Sequence, residues 1–107
     1  MDISINYPNV FTLVAKASGK INLETAVEYG TTIKDTLEDY DGEIKELVLD
    51  FSEITFISSI GLKVILELYK EMEERGGTLK IAGASSEVKK AFVTVGFTGF
   101  IKFSGNV

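Results

Sequence analysis

Apolar residues along the chain fall into short alternating or continuous runs, separated by longer stretches of helical spacing. Ile3, Ile5 and Tyr7 alternate with polar residues, which suits an edge strand ending at Pro8 and Asn9. Val10 to Ala17 forms a second run, so the two are expected to pair as a hairpin before Ser18-Gly19-Lys20 breaks the pattern. From Asn22 the spacing predicts a helix of about five turns, with Asn22 as its N-cap and Glu24 complementing the dipole. Leu23, Ala26, Val27, Ile33 and Leu37 lie on its buried stripe, with Gly30 near the same face for close approach to a sheet, and Asp41-Gly42 ends it.

The densest patterning lies in Leu47–Met72, LVLDFSEITFISSIGLKVILELYKEM. Leu47, Val48 and Leu49 read as a buried strand capped by Asp50. A polar hinge (Ser52, Glu53), a second apolar patch (Ile54, Phe56, Ile57) and a Ser58-Ser59 pair follow. Leu62, Ile65, Leu66, Tyr69 and Met72 then recur at helical spacing, opposite Lys63, Glu67, Lys70, Glu71 and Glu74, from near Ile60 to Gly76-Gly77. Val64 and Leu68 form a second stripe that packs under a neighbour or faces a partner. Thr78–Ala82 reads as another strand. Ser85 caps a short helix burying Val88, Ala91, Phe92 and Val95 before Gly96. Phe97, Phe100, Ile101 and Phe103 suggest a last turn and a short terminal strand, with packing ahead of a dimer surface as their use. The order is β-β-α-β-α-β-α-β: a small α/β sandwich with a mostly parallel sheet, an N-terminal hairpin and flanking helices.

Composition narrows the function classes. With 107 residues and 45% hydrophobic content, the chain suits one globular domain over residues 1–107 with one core. No run approaches the roughly 20 apolar residues of a membrane span, and the N-terminus lacks the pattern of a signal peptide, so a cytoplasmic protein is expected. A net charge of −5 argues against nucleic acid as a direct partner. With no cysteine and no histidine, thiolate sites, the commonest zinc ligand and the usual neutral-pH base are gone. A binding or switching role therefore leads an enzymatic one, and neither cofactor nor metal is expected.

The serine pair is the chemical centre. In this element order it stands at the carboxyl end of a parallel strand and at a helix N-terminus, where the amides of Ile60, Gly61 and Leu62 are expected to be unpaired. One reading is a plain helix cap. The other is an anion site, at which a phosphate on a serine would gain amide bonds and dipole stabilisation, with Gly61 leaving room at the backbone.

LDFSEITFISSIGLKVIL resembles the signature of the STAS domain, the module of bacterial anti-sigma factor antagonists. SGKIN before the first long helix and GGTLKIAGASSEVKKAFVTVGF further on are similar to the family's matching elements, so the likeness covers nearly the whole chain. The resemblance implies partner switching: the antagonist binds an anti-sigma factor that is also a serine kinase, is released when that kinase phosphorylates it, and is reset by a phosphatase. The family's phosphoacceptor lies two residues before the motif glycine, which places it at Ser59, with Ser58 as the lesser alternative. Asn22, Ser58, Ser59, Ile60, Gly61, Leu62 and Ser85 are then the expected partner-binding residues. Ser58 departs from the motif Asp, Ile60 from a small residue, and Asn22 from a frequent carboxylate. These departures sustain an alternative, a STAS-like accessory subunit docking on a transporter ATPase without phosphorylation. A small-molecule sensor using the helix N-terminus is a third reading. Asp50 ends a strand as in a receiver domain, but the first strand carries no acidic pair, so local amides are its expected partners. A monomer or weak homodimer is expected.

Overall fold

The computed structural model describes residues 1–105. In chain order it runs β1 (Ile3–Asn9), β2 (Thr12–Ile21), α1 (Ala26–Asp39), β3 (Glu46–Ile57), α2 (Ser59–Glu74), β4 (Thr78–Ala82), α3 (Ser86–Thr94), a 3₁₀ turn (Phe97–Gly99) and β5 (Lys102–Ser104). The five strands lie side by side in sequence order. β1 pairs antiparallel with β2, and the other pairings are parallel, so each parallel step is crossed by a helix. This is the expected α/β architecture, with β3 central.

Strand side chains alternate between faces. Leu13, Ala15, Leu47, Leu49, Leu79 and Ile81 meet Ile33 of α1, Leu68 of α2 and Phe92 of α3 in one continuous core. Val14, Val48 and Ala82 form a smaller patch on the other face. Val64 and Leu68 are both buried, so the second stripe of α2 packs inward.

The polar hinge expected at Ser52-Glu53 is not a break. β3 runs through it as one strand. Lys16 pairs with Asp50 and Ser18 with Glu53, then Gly19 with Ile54 and Lys20 with Phe56, so β3 twice carries an extra residue. Asp50 holds the first bulge: its Oδ1 accepts from the Ser52 amide at 3.0 Å and the Ser52 hydroxyl at 2.7 Å. The bulges change the burial period, so Phe51, Ile54 and Ile57 all face the core while Phe56 is exposed. They also let β2 continue past Ser18-Gly19-Lys20 to Ile21, beyond the expected break at Ala17.

Four further expectations change. Regular helix in α1 starts at Ala26, and its buried side is Ala26, Tyr29, Gly30, Ile33 and Leu37, leaving Leu23 and Val27 exposed. Gly30 makes room for another helix rather than the sheet: a Cβ there would lie 2.7 Å from Val64 Cγ1. α1 stops before Asp41-Gly42 because Tyr40 turns out in extended backbone and stacks on Tyr7 at 4.9 Å. Val95 is exposed, just past the end of α3.

An aromatic chain crosses the core, with Tyr29 edge-on to Phe51 at 6.5 Å, Phe51 to Phe92 at 6.4 Å and Phe92 to Phe103 at 5.3 Å. The Tyr29 hydroxyl is buried with no hydrogen-bond partner among the described residues. Burial, reinforced by the Asp50 charge, pushes its pKa far above the ordinary tyrosine value. Leaving a buried hydroxyl unpaired costs about 1–3 kcal/mol, so Tyr29→Phe is expected to stabilise the fold by about 1 kcal/mol or more, read as a higher urea midpoint. The pH dependence has a definite sign. The unfolded chain releases the Tyr29 proton near pH 10 while the folded chain keeps it, so native stability is intact below about pH 10 and declines above it. The Phe variant loses that part of the alkaline decline.

Candidate functional site

The site lies where β2 and β3 end and α2 begins. Ile21 and Ile57 pair as the last residues of their strands, and the Ser58 amide donates to the Ile21 carbonyl at 2.9 Å. Ser58 then leaves the sheet in extended backbone and becomes the N-cap of α2. Its Oγ accepts from the Gly61 amide at 3.3 Å, and its carbonyl accepts from the Leu62 amide at 2.9 Å. Two of the three amides expected to be unpaired are therefore taken by Ser58. Within the helix the amides of Ser59 and Ile60 still lack a preceding carbonyl.

This division of labour separates the two serines. Ser58 is half-buried and engaged, whereas Ser59 is exposed at the first helical position. No hydrogen bond to the Ser59 hydroxyl occurs among the described residues.

Gly61 and Leu62 are buried, so they seat the helix rather than present a surface. A Cβ on Gly61 would lie 2.7 Å from Ile57 Cγ1, 2.9 Å from Ile21 Cγ2 and 2.9 Å from the Ile21 carbonyl oxygen. The glycine thus serves the packing of α2 on the strand ends. Ile60 is half-buried beside it.

Asn22 follows directly on Ile21, which anchors Ser58, so the two turns are neighbours. Asn22 Oδ1 accepts from the amides of Glu24 at 3.0 Å and Thr25 at 3.2 Å. In return Thr25 Oγ1 accepts from the Asn22 amide at 2.9 Å and donates to the Lys20 carbonyl at 2.6 Å. This reciprocal pair is a capping box built on Asn and Thr, one turn ahead of regular helix. It shapes the loop with its acceptor oxygen already occupied. Ser85, after β4, caps α3 by accepting from the Val88 amide at 3.2 Å.

Three apolar residues near this end of the sheet depart from their expected place: Leu23 and Val27, on the stripe expected to pack, and Phe56, in the second apolar patch, are all exposed. Phe56 also lines a shallow cleft of about 110 Å³ with Thr55, Ile57, Glu87, Val88 and Ala91, between the end of β3 and α3. An exposed hydroxyl thus sits at the start of α2, and exposed apolar side chains occur on the segments that end or follow β2 and β3.

A model of the STAS domain matches residues 5–107. Solved structures share the fold. The anti-sigma factor antagonist SpoIIAA of Bacillus, in its unphosphorylated form, superposes with a TM-score of 0.80 at 17% identity, covering 97% of this chain and 89% of that one. An anti-sigma factor antagonist from Mycobacterium paratuberculosis gives a TM-score of 0.84 at 20% identity, over 99% and 86% of the two chains. A sulfate transporter family protein from Wolinella succinogenes gives 0.79 at 16% identity, over 95% and 83%. Among the described residues, no helix is long and apolar enough to cross a membrane.

Proposed function

The chain belongs to the STAS domain family, and from that premise we propose that it is an anti-sigma factor antagonist whose partner exchange is controlled at Ser59. In this reading it is a cytoplasmic binding protein, not an enzyme, and acts on transcription by sequestering an anti-sigma factor that is also a serine kinase. The observation that carries the reading is the separation of the serines. Ser58 caps α2 and leaves the Ser59 hydroxyl exposed and unengaged.

The partner surface comprises Ser59 with Ile60, the Asn22 turn and Ser85, over the buried support of Gly61 and Leu62. Leu23, Val27 and Phe56 supply its apolar area. A phosphate on Ser59 adds about −1.5 to −2 charge at pH 7 in the middle of that surface, which a partner shaped for a neutral hydroxyl rejects. A phosphatase then restores the hydroxyl. Ser58 is the poorer acceptor, because modifying its oxygen would disturb the cap on Gly61.

Incubation with an anti-sigma kinase and ATP, followed by intact-mass analysis, tests this. One added phosphate is expected in the native chain and none in Ser59→Ala. Retention of the phosphate in Ser59→Ala would move the acceptor to Ser58 or elsewhere. A stable complex without any phosphate would favour the second reading, an accessory subunit docking on a transporter ATPase, supported by the shared fold of the Wolinella transporter family protein and by serine in place of the motif acid.

A further inference from the structure

At the opposite end of the sheet from Ser59, the β1–β2 turn and the loop from α1 to β3 build a second unpartnered surface. Val10 and Phe11 are 64% and 55% exposed, although the fold has no use for apolar side chains there. Tyr7 stacks on Tyr40 at 4.9 Å, and the Tyr40 hydroxyl donates to the Val10 carbonyl at 2.9 Å. Behind them the amides of Lys45 and Glu46 donate to the Phe11 carbonyl at 2.7 and 3.0 Å. The aromatic patch is therefore held on a fixed backbone.

The charge around it is one-sided. Residues 35–46 carry six carboxylates (Asp35, Glu38, Asp39, Asp41, Glu43, Glu46) and one lysine, a net of −5. That equals the net charge of the whole chain, so the other ten acids and ten bases cancel. The single lysine, Lys45, is already paired with Glu43 at 2.9 Å. An acidic excess of this size thus lies in the segment that carries Tyr40 and donates the Lys45 and Glu46 amides to the Phe11 carbonyl.

We propose that the Tyr7–Val10–Phe11–Tyr40 patch is a second docking surface, for a protein segment that presents apolar side chains flanked by lysine or arginine. Apolar anchors supply contact area, and the acidic rim selects a basic partner and steers its approach. Anionic membrane and nucleic acid are repelled by the same rim. A second copy of this chain would set two such acidic segments against each other. Because this surface and Ser59 lie at opposite ends of the sheet, both can be occupied at once, and the inference stands whether or not Ser59 is a phosphoacceptor.

The test is an NMR titration of the ¹⁵N-labelled full chain with two synthetic amphipathic helical peptides of equal length, one leucine–lysine and one leucine–glutamate. The leucine–lysine peptide is expected to shift the amides of Tyr7, Val10, Phe11 and Tyr40, with the leucine–glutamate peptide much weaker. Phe11→Ser, and separately the combined Asp39→Asn, Asp41→Asn, Glu43→Gln variant, should each weaken binding about tenfold. The effect of the charge variant should fade in high salt, and Ser59→Glu should leave the affinity unchanged. Shifts centred on Ser59 or spread over the surface would overturn the proposal, as would equal response to both peptides or response to neither. Concentration-dependent dimerisation that perturbs these same amides would also overturn it, by making a second copy the occupant.

Discussion

Phe51→Ala is expected to lower the unfolding free energy by about 3–5 kcal/mol, a large share of the roughly 5–15 kcal/mol that holds a small domain together. Phe51 is fully buried on the central strand and bridges Tyr29 of α1 and Phe92 of α3. Truncation therefore opens a cavity where helix, sheet and helix meet, and rings that touch from both sides have no simple way to refill it. Urea denaturation should show a lower midpoint with an unchanged slope. Phe56→Ala is the internal control. It removes the same side chain five residues further along the same strand, but from a site 48% exposed, and should cost well under half as much. Equal costs at the two positions would sink the inward placement of Phe51 and the outward placement of Phe56. The bulges themselves are reported by Ile54, which strict alternation from Phe51 would turn outward and which is buried.

That pair of phenylalanines also marks what was legible in the chain. The element order, the parallel core and the cap at Ser85 follow from local signals: apolar runs of strand length, helical stripes and small polar residues before them. Burial after Asp50 was not legible, because a bulge changes which face a side chain takes without leaving a signature in hydropathy. Ser52 and Glu53 therefore read as a hinge, although Asp50 merely binds the Ser52 amide and hydroxyl within a continuous strand. Leu23 and Val27 were misplaced for a related reason. The Asn22–Thr25 capping box holds a turn ahead of regular helix, and the buried side is set by Tyr29 and Gly30 against neighbouring elements, which local spacing does not report. At the candidate site the helix start was legible, but the roles of the serines were not. Which hydroxyl caps and which stays free depends on the Ser58 amide reaching the Ile21 carbonyl, a contact 37 residues away in sequence.

The same contact makes Gly61 the residue on which the site's geometry turns. Alanine in a helix interior is ordinarily better than glycine by about 1 kcal/mol, so propensity alone predicts a more stable protein for Gly61→Ala. Packing opposes it. The new methyl would press on Ile57 Cγ1 at 2.7 Å and Ile21 Cγ2 at 2.9 Å, both in buried side chains with little freedom to yield. It would also stand 2.9 Å from the Ile21 carbonyl oxygen, the atom that accepts from the Ser58 amide. Overpacking of this kind costs about 1–3 kcal/mol, enough to cancel the propensity gain and leave a net loss. The helix start must then move off the strand ends, which lengthens the Ser58–Ile21 bond and loosens the cap. Gly61→Ala should therefore lower the thermal midpoint and speed exchange of the Ser58 amide more than that of amides in the middle of α2. Under the proposed function it should also weaken kinase recognition at Ser59 although the hydroxyl itself is untouched. Ser59→Ala, by contrast, should leave the thermal midpoint nearly unchanged and, under the proposed function, remove phosphorylation. A rise in the midpoint of Gly61→Ala would mean that α2 is not seated against Ile21 and Ile57, and the separation of the two serines would lose its structural basis.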